Sequence, residues 1–141
     1  MAETTWKLEF PYRRSVGPVI GAFLGGLRDG KIVGIRTGDG RVICPPLEYD
    51  PDSGEGLGVD AIVDLADTGT VTDWAYVNET SPKYPLGDQP FAWALIKIDG
   101  ADTSLLHAVD GTVERGTKVR ARWRDERKGH VTDIECFEVV S

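Results

Sequence analysis

The sequence predicts a mainly β protein that begins with one amphipathic helix. Apolar residues recur at helical spacing from Ser15 to Leu27, and glycine, proline and aspartate interrupt every periodic pattern in residues 30–58. Alternating stretches separated by turn residues then fill the chain from Ala61 to Val140. With 141 residues, 40% of them hydrophobic, the chain is long enough for one compact core and too short for a large multidomain enzyme.

The helix is predicted from six apolar residues at steps of three and four: Val16, Val19, Ile20, Phe23, Leu24 and Leu27. Ser15 is placed to cap its start, and Asp29-Gly30 to end it. Its glycines are Gly17, Gly21, Gly25 and Gly26, and each one inside a helix costs about 1 kcal/mol relative to alanine. Two explanations stay open: packing against the chain's own backbone, or a partner protein that approaches along the stripe of Gly17, Gly21 and Gly25.

Residues 30–58 form a connector rich in turn residues, with one short apolar alternation around Arg41 to Cys44. A compact domain rarely holds so long an unstructured segment, so we expect a small module or packing on another surface.

Six strands are predicted after the connector: Ala61–Leu65, Thr70–Val77, Phe91–Ile98, Ser104–Val109, Lys118–Trp123 and Val131–Val140. Asp99-Gly100 and the segment Asp125 to His130 are predicted turns. About five strands closing over about 80 residues favour a small Greek-key barrel of the OB type over a two-sheet sandwich.

A hairpin centred on Asp125 to His130 predicts the cross-strand pairs of the last two strands. Its outer face would pair Arg124 with Val131, Arg122 with Asp133 and Arg120 with Glu135. Its core face would pair Trp123 with Thr132, Ala121 with Ile134 and Val119 with Cys136, which makes Cys136 a small buried hydrophobe.

Composition and motifs exclude several classes of function. The 23 acidic residues outnumber the 16 basic ones, and the net charge of −7 opposes binding to nucleic acid. Cys44 and Cys136 match no metal or redox spacing, and we see neither a signal peptide nor a membrane span. These features predict a soluble, cytoplasmic protein. No phosphate loop, nucleophile elbow or zinc-spaced histidine pair is present, so no catalytic residue is predicted.

Three features are candidates for binding, each with a structural alternative. Lys118, Arg120, Arg122 and Arg124 line one strand face, either as a phosphate site for a ligand such as coenzyme A or as a solvated, partly paired face. Trp74, Tyr76, Phe91 and Trp93 alternate along strands, as a stacking platform or as core. The loop Asn78 to Pro90 exposes Tyr84, as a binding loop or as a plain connector. His107 is interpreted as structural and His130 as solvated.

The order of elements resembles a known family over nearly the whole chain. A helix from Tyr12 to Leu27 is followed by GKIVGIRTGDGRVICPP, then by LADTGTVTDWAYVNE, and then by a barrel with GTKVRARWR near its end. The chain resembles the Domain of Unknown Function 35 family, whose members join an N-terminal helix and a rubredoxin-like zinc ribbon to an OB-fold. The resemblance implies two parts: residues 1–58 as helix and ribbon, and residues 59–141 as barrel.

The family ribbon holds zinc with four cysteines, and this chain lacks them. Aligning Gly40, Pro45-Pro46 and Pro51 places Arg36, Asp39, Asp50 and Ser53 at the four cysteine positions. An arginine does not ligate zinc. The resemblance therefore implies a degenerate, metal-free ribbon, which we expect to be held by packing and turns. Because it lacks the folding energy of a metal, we expect its order to depend on a partner.

The segment YRRSVGPVIGAFLGGLRDGKIVGIR is most similar to actinobacterial members that pair with thiolase-like lipid-transfer proteins. The resemblance implies a non-catalytic subunit of a steroid side-chain-degrading aldolase complex, with a coenzyme A thioester as the substrate of the complex and no directly bound cofactor. A heteromer of two plus two chains is expected, with neither nucleic acid nor membrane as partner.

The alternative is a stand-alone OB-fold acyl-CoA binding module. The expected partner interface comprises Tyr12, Val16, Gly17, Ile20, Gly21, Phe23, Leu24 and Leu27. The expected vicinity of the acyl-CoA comprises Trp74, Tyr84, Trp93, Arg120 and Arg122.

Overall fold

A computed structural model describes residues 3–13, 15–79 and 81–140. It has one helix, α1 (Gly17–Arg28), and two short 3-10 turns, Val59–Ala61 and Val131–Asp133. Its eight strands are β1 (Ile32–Arg36), β2 (Val42–Ile43), β3 (Ile62–Leu65), β4 (Thr68–Val77), β5 (Phe91–Ile98), β6 (Ser104–Asp110), β7 (Lys118–Trp123) and β8 (Ile134–Val139). The mainly β architecture with one N-terminal helix is as predicted.

Helix α1 packs one face on the strands and ends where the sequence predicts. Val19, Phe23 and Leu27 are its buried residues. Gly30 follows the helix with φ of +75°, and its N–H bonds the carbonyl of Leu27. Capping at the start differs from the prediction: the helix begins at Gly17, and the Ser15 hydroxyl reaches only the Gly17 N–H, at 3.4 Å.

The connector contributes to a three-stranded sheet with the order β2-β1-β3. Strand β1 lies in the centre and pairs antiparallel with both neighbours. Residues 62–65 were predicted as part of the barrel half, but they pair with β1 instead, because Ile32 to Ile35 offer a buried edge that faces them. The first barrel strand begins at Thr68. The division between residues 58 and 59 stays a prediction.

Five strands close a barrel in the order β4-β5-β6-β8-β7, which confirms the predicted OB-type architecture. From Ala92 to Ile98 the burial of strand β5 alternates, with Ala92, Ala94, Ile96 and Ile98 buried on the inner side. The pair β6–β8 is parallel and the others are antiparallel. The Asp99-Gly100 turn forms as predicted, with Gly100 at φ of +95°.

The predicted register of β7 and β8 is wrong by three residues: Val119 lies opposite Val139, Arg120 opposite Glu138 and Arg122 opposite Cys136. The cause is the 3-10 turn Val131–Asp133, which delays the start of β8 to Ile134. The buried Asp133 carboxylate holds this turn, because it accepts hydrogen bonds from the backbone N–H groups of residues 128, 129 and 130 at 2.9, 2.7 and 3.0 Å.

One apolar core runs from α1 and the small sheet into the barrel. Phe23 and Leu27 of the helix and Ile32 and Val33 of β1 belong to the same buried cluster as Phe137 in the barrel. A second, smaller cluster joins the helix to the small sheet through Val19, Ile35 and Ile43. The two sheets therefore pack as one body.

Candidate interaction surfaces

The outer face of α1 is only part of the predicted partner interface. Phe23 and Leu27 were predicted to contact a partner, but they are buried in the chain's own core, because the helix turns this face toward β1 and the barrel. Leu24 packs partly against the same core. Val16 and Ile20 stay 48% and 39% exposed and form the outward face.

The helix glycines divide between the two explanations. Gly17 has φ of +79°, and a Cβ there would lie 2.4 Å from the Glu48 carboxylate. A Cβ at Gly26 would lie 3.3 Å from the backbone carbonyl of Lys31. Packing within the chain therefore accounts for these two positions. At Gly21 and Gly25 a Cβ would meet only the side chains of its own helix region, at 3.8 and 3.9 Å, so both positions are open on the outer side.

An exposed apolar segment precedes the helix, and the sequence reasoning missed it. Trp6, Leu8, Phe10 and Tyr12 are 89%, 84%, 75% and 82% exposed. They alternate with Lys7, Glu9, Pro11 and Arg13, and no helix or strand forms between Glu3 and Arg13. The two-residue period of large apolar side chains is the sequence signal from which this surface could have been predicted. We call residues 6–12 the N-terminal arm.

The four alternating aromatics do not form one platform. Trp74 and Tyr76 lie opposite Ala94 and Ala92 on the inner-facing side of their strands, and their rings meet edge to face at 4.7 Å. Phe91 and Trp93 point to the outer side, where their ring centroids are 5.1 Å apart. The barrel wall therefore separates two aromatic pairs, and a single base-stacking surface across all four is ruled out by this geometry.

The loop Asn78 to Pro90 packs on the outer aromatic pair. Its Tyr84 ring lies 5.7 Å from Phe91, edge to face, and its Leu86 packs on the cluster of Phe91, Ala108 and Cys136. Cys136 is buried as predicted, but under this loop and not inside the barrel, which is a consequence of the shifted register. Burial raises the pKa of the Cys136 thiol to about 11, so it is a protonated packing group at neutral pH.

The basic strand face is partly neutralised. Arg122 donates to Glu138 at 3.0 and 3.1 Å and to Asp110 at 3.1 Å, and these hydrogen bonds raise its pKa above the ordinary value. Glu135 lies 3.7 Å from the same guanidinium. Among the residues described, Arg120 has no ion-pair partner within 4.0 Å and remains the better placed of the two for an anionic ligand.

One arginine joins the turns of the segment that was predicted to be a degenerate ribbon. Arg41 donates through Nε to Asp39 at 3.0 and 3.1 Å and through Nη2 to Asp50 at 3.0 and 3.1 Å, and its Nη1 lies 2.7 Å from Asp52. The Thr37 hydroxyl and then Arg41 lower the pKa of Asp39. The Asp52 backbone N–H and then Arg41 lower the pKa of Asp50, although burial opposes the shift.

Two of the four residues aligned with the family's cysteines thus meet at a guanidinium. The other two make local contacts: Arg36 donates to the Gly40 carbonyl at 3.3 Å, and Ser53 accepts from the Glu55 N–H at 3.2 Å. Within the described residues, no group of three or more His, Cys, Asp or Glu side chains is arranged to hold a metal ion.

His107 lies in the barrel wall beside an apolar cavity of about 170 Å³. Its Nδ1 accepts from the Ala108 N–H at 2.9 Å, so Nε2 carries the proton and donates to the Val131 carbonyl at 3.2 Å. Burial lowers the pKa of His107. The cavity lies between Phe23 of the helix and the barrel residue Leu105. His130 is exposed and also caps the 3-10 turn through Nδ1.

Comparison with known proteins identifies the fold. Residues 62–124 match the family model described as the ChsH2 C-terminal OB-fold domain. A DUF35 protein of unknown function from Sulfolobus solfataricus has the same fold with a TM-score of 0.65 and 22% identity, over 88% of this chain and 83% of the other. The chain therefore has the fold of a DUF35 protein, with an OB-fold domain over residues 62–124. The resemblance seen in the sequence is confirmed.

A second solved structure carries a description of its assembly. The present chain matches a chain of the Ltp2-ChsH2(DUF35) aldolase with a TM-score of 0.61 and 19% identity, over 90% of this chain and 98% of that one. At these identities the likeness is one of fold. A search of curated proteins found no match. None of the described helices is long and apolar enough to span a membrane.

Proposed function

We propose that this protein is a non-catalytic accessory subunit of a thiolase-fold acyl-CoA enzyme. One observation carries the proposal: the fold of this chain matches that of a chain of the Ltp2-ChsH2(DUF35) aldolase with a TM-score of 0.61, over 98% of that chain's length. The partner is a thiolase-like lipid-transfer protein, and the complex contains two copies of each subunit because such enzymes form symmetric assemblies.

The reaction is the retro-aldol cleavage of a steroid acyl-CoA, with the chemistry in the thiolase-like subunit and coenzyme A bound as part of the substrate. The assignment of the chemistry to the thiolase-like subunit is supported by the contacts that the ionisable groups of the present chain make. Arg41 joins two turns, Arg122 joins two strands and Asp133 holds a turn. Each of these three groups has a shifted pKa and is already bound to a structural partner. The two cysteines are buried thiols with pKa values raised to about 12 and about 11.

The outward face of α1 is the proposed docking surface. Tyr12, Val16 and Ile20 are exposed there, and Gly21 and Gly25 let a partner approach the helix backbone closely. On the barrel, Tyr84 and Trp93 with Arg120 are the proposed neighbours of the acyl-CoA, since all three lie on its outer side. Trp74 is proposed for the same vicinity from the opposite face of its strand, and Arg122 contributes least because three carboxylates meet it.

The test is coexpression with a thiolase-like protein encoded beside it, followed by the mass of the purified species and its cleavage of a steroid acyl-CoA. Val16→Asp and Ile20→Asp together place two charges on the proposed interface. We expect them to abolish the heteromer and its activity. Val140→Asp is the matched control, because Val140 is 37% exposed just after the end of β8, and α1 contacts the turn Val131–Asp133 that precedes the other end of this strand. An active heteromer that tolerates the helix substitutions would place the interface elsewhere.

A lone monomer recovered beside the candidate partner would reject the proposal. Calorimetry of that monomer with coenzyme A would then decide the alternative of an independent acyl-CoA module. Such a module predicts a saturable heat that salt weakens and Arg120→Ala reduces.

A further inference from the structure

We propose that the N-terminal arm docks on the partner enzyme as an added β-strand, with its apolar side chains buried on the partner. This inference rests on the proposed function for the identity of the partner. The arm itself is defined by what its residues share: all of residues 3–13 are exposed, and the four large apolar side chains fall on every second position. In an extended chain such residues lie on one face.

The area of that face is in the range of the apolar patches that serve as interaction surfaces. Three aromatic side chains bury about 150–250 Å² each when covered, so the arm presents at least about 500 Å² of apolar surface. A whole monomer rarely exposes a contiguous apolar patch above about 600 Å², and a stable interface needs about 800 Å² from each partner. The arm alone therefore supplies more than half of one side of such an interface. Val16 and Ile20 on α1 continue it.

Pro11 determines which edge of the arm can pair. Along a strand, successive N–H groups point to opposite edges, so the N–H groups of Trp6, Leu8, Phe10 and Tyr12 share one edge. Pro11 lacks an N–H and lies on the other edge. Proline is found in edge strands whose N–H side faces solvent. The arm is thus suited to join one sheet edge and to stop further strands from adding, which limits aggregation.

The acceptor edge belongs to a different protein. Within the ranges described, the barrel is closed, and the outer strands of the small sheet are β2 with two residues and β3 with four. Neither offers a seven-residue edge. A second copy of this chain would offer only its own arm, and an isolated two-stranded ribbon is marginally stable in water. The acceptor is therefore a protein with an open sheet edge beside an apolar surface, which we take to be the thiolase-like subunit.

The first experiment measures the Kd of the full chain for the purified thiolase-like subunit. Trp6→Ser with Phe10→Ser removes two apolar anchors, and we expect Kd to rise at least about 30-fold. The matched control, Lys7→Ser with Glu9→Ser, lies on the alternate face of the same arm. It removes an exposed ion pair of 3.4 Å, and we expect a change below about fivefold. Circular dichroism should be unchanged in both, because the arm residues are all exposed.

The second experiment tests strand pairing by moving a proline across the two edges. Leu8→Pro removes an N–H from the pairing edge and should weaken binding at least about tenfold beyond Leu8→Ala. Glu9→Pro removes an N–H from the edge that Pro11 already interrupts and should bind like Glu9→Ala. Equal effects of the two prolines would overturn strand addition.

The outcomes separate this inference from the proposed function. If the heteromer forms equally well with Trp6→Ser and Phe10→Ser in this chain, the docking role of the N-terminal arm is overturned and the accessory role stands. No wild-type heteromer overturns both. Self-association of the wild-type chain that this double substitution abolishes would overturn the thiolase-like partner and identify a second copy instead.

Discussion

The barrel strands are held together by apolar side chains that fill the barrel interior. The two turns that flank the small sheet are instead joined by charged side chains. Phe137 and Ile96 are fully buried at the centre of the barrel. Asp39 and Asp50 lie in two different turns, and both bind the Arg41 guanidinium. A guanidinium offers several donors in a fixed plane, so it can bind two carboxylates at once and join segments distant in sequence.

The comparison teaches how a small module can hold its turns together without the zinc ligands of the family that its sequence resembles. Resemblance assigns Asp39 and Asp50 to positions of zinc-binding cysteines, and here the two carboxylates face a cation that the chain itself provides. The absence of zinc in this ribbon stays a prediction, and the arginine contacts explain how the turns hold together in the structure described.

The largest expected effect comes from the barrel core. Phe137→Ala removes a fully buried ring that belongs to the same cluster as Val33 of the small sheet and Leu27 of the helix. We expect the free energy of unfolding, measured by denaturant titration, to fall by about 3–5 kcal/mol. Fluorescence and far-ultraviolet circular dichroism should report one coincident transition, because the core is shared. Two separate transitions would show that the small sheet folds independently and would break the comparison.

A glycine in each region gives a matched test of packing. A Cβ at Gly69 would lie 2.7 Å from the Lys97 carbonyl oxygen, and a Cβ at Gly34 would lie 2.8 Å from the Ile43 carbonyl oxygen. Backbone atoms cannot move aside easily, so Gly69→Ala and Gly34→Ala should each cost about 1–3 kcal/mol of stability. Gly56→Ala is the control, because a Cβ there meets nothing within 4 Å. A tolerated Gly34→Ala would mean that the small sheet is looser than the barrel.

Arg41→Lys tests the charged cross-link without removing the charge. Lysine cannot bridge both carboxylates with a planar fork, so we expect faster amide exchange in the turns at residues 37–41 and 50–55. The barrel amides should be unchanged, and the melting temperature should fall less than in either glycine variant. Arg36→Lys is the matched control, since Arg36 makes one contact to a carbonyl. Unchanged turns in Arg41→Lys would show that the guanidinium geometry is dispensable.

The helix and the barrel strands of this fold were predictable from local pattern. Strand β1 (Ile32–Arg36), which lies in the segment predicted as a connector, and the contacts between distant segments were not. Helix and strand positions follow from apolar periodicity, which a single sequence displays. The register of β8 depends on Asp133, whose carboxylate binds three N–H groups of the preceding turn, and charge pairing across the hairpin gave no sign of this. Arg41 was missed for the same reason, since its partner Asp50 is nine residues away across a proline-rich segment.

The candidate site was predicted in part. Val16 and Ile20 were expected on the partner face and are exposed, but Phe23 and Leu27 carry the same apolar signal and turn inward. Periodicity identifies the apolar positions of a helix and does not say which of them a second protein covers. The N-terminal arm was visible as a two-residue alternation of large apolar side chains, and only its full exposure in the structure gave that pattern a meaning.

A pH titration gives the smallest expected effect. It separates the two regions by the pH range in which each loses stability. Burial lowers the pKa of His107 from its ordinary value of 6.5, so the folded barrel binds fewer protons than the unfolded chain near pH 6. Its contribution is present above about pH 6.5 and is lost as pH falls. Asp39 and Asp50 have pKa values lowered from 3.8, so their contribution is present above about pH 4 and is lost at more acidic pH.

Stability measured between pH 7.5 and 5 should therefore decline through His107 while the ribbon cross-link is intact, and His107→Gln should flatten that slope. His130→Gln is the matched control, because His130 is exposed at the surface turn. Below about pH 4 the ribbon turns should lose amide protection together with the Asp133 turn, whose carboxylate also has a lowered pKa. Ribbon turns that loosen already near pH 6 would contradict this order, because no carboxylate of the cross-link gains a proton there.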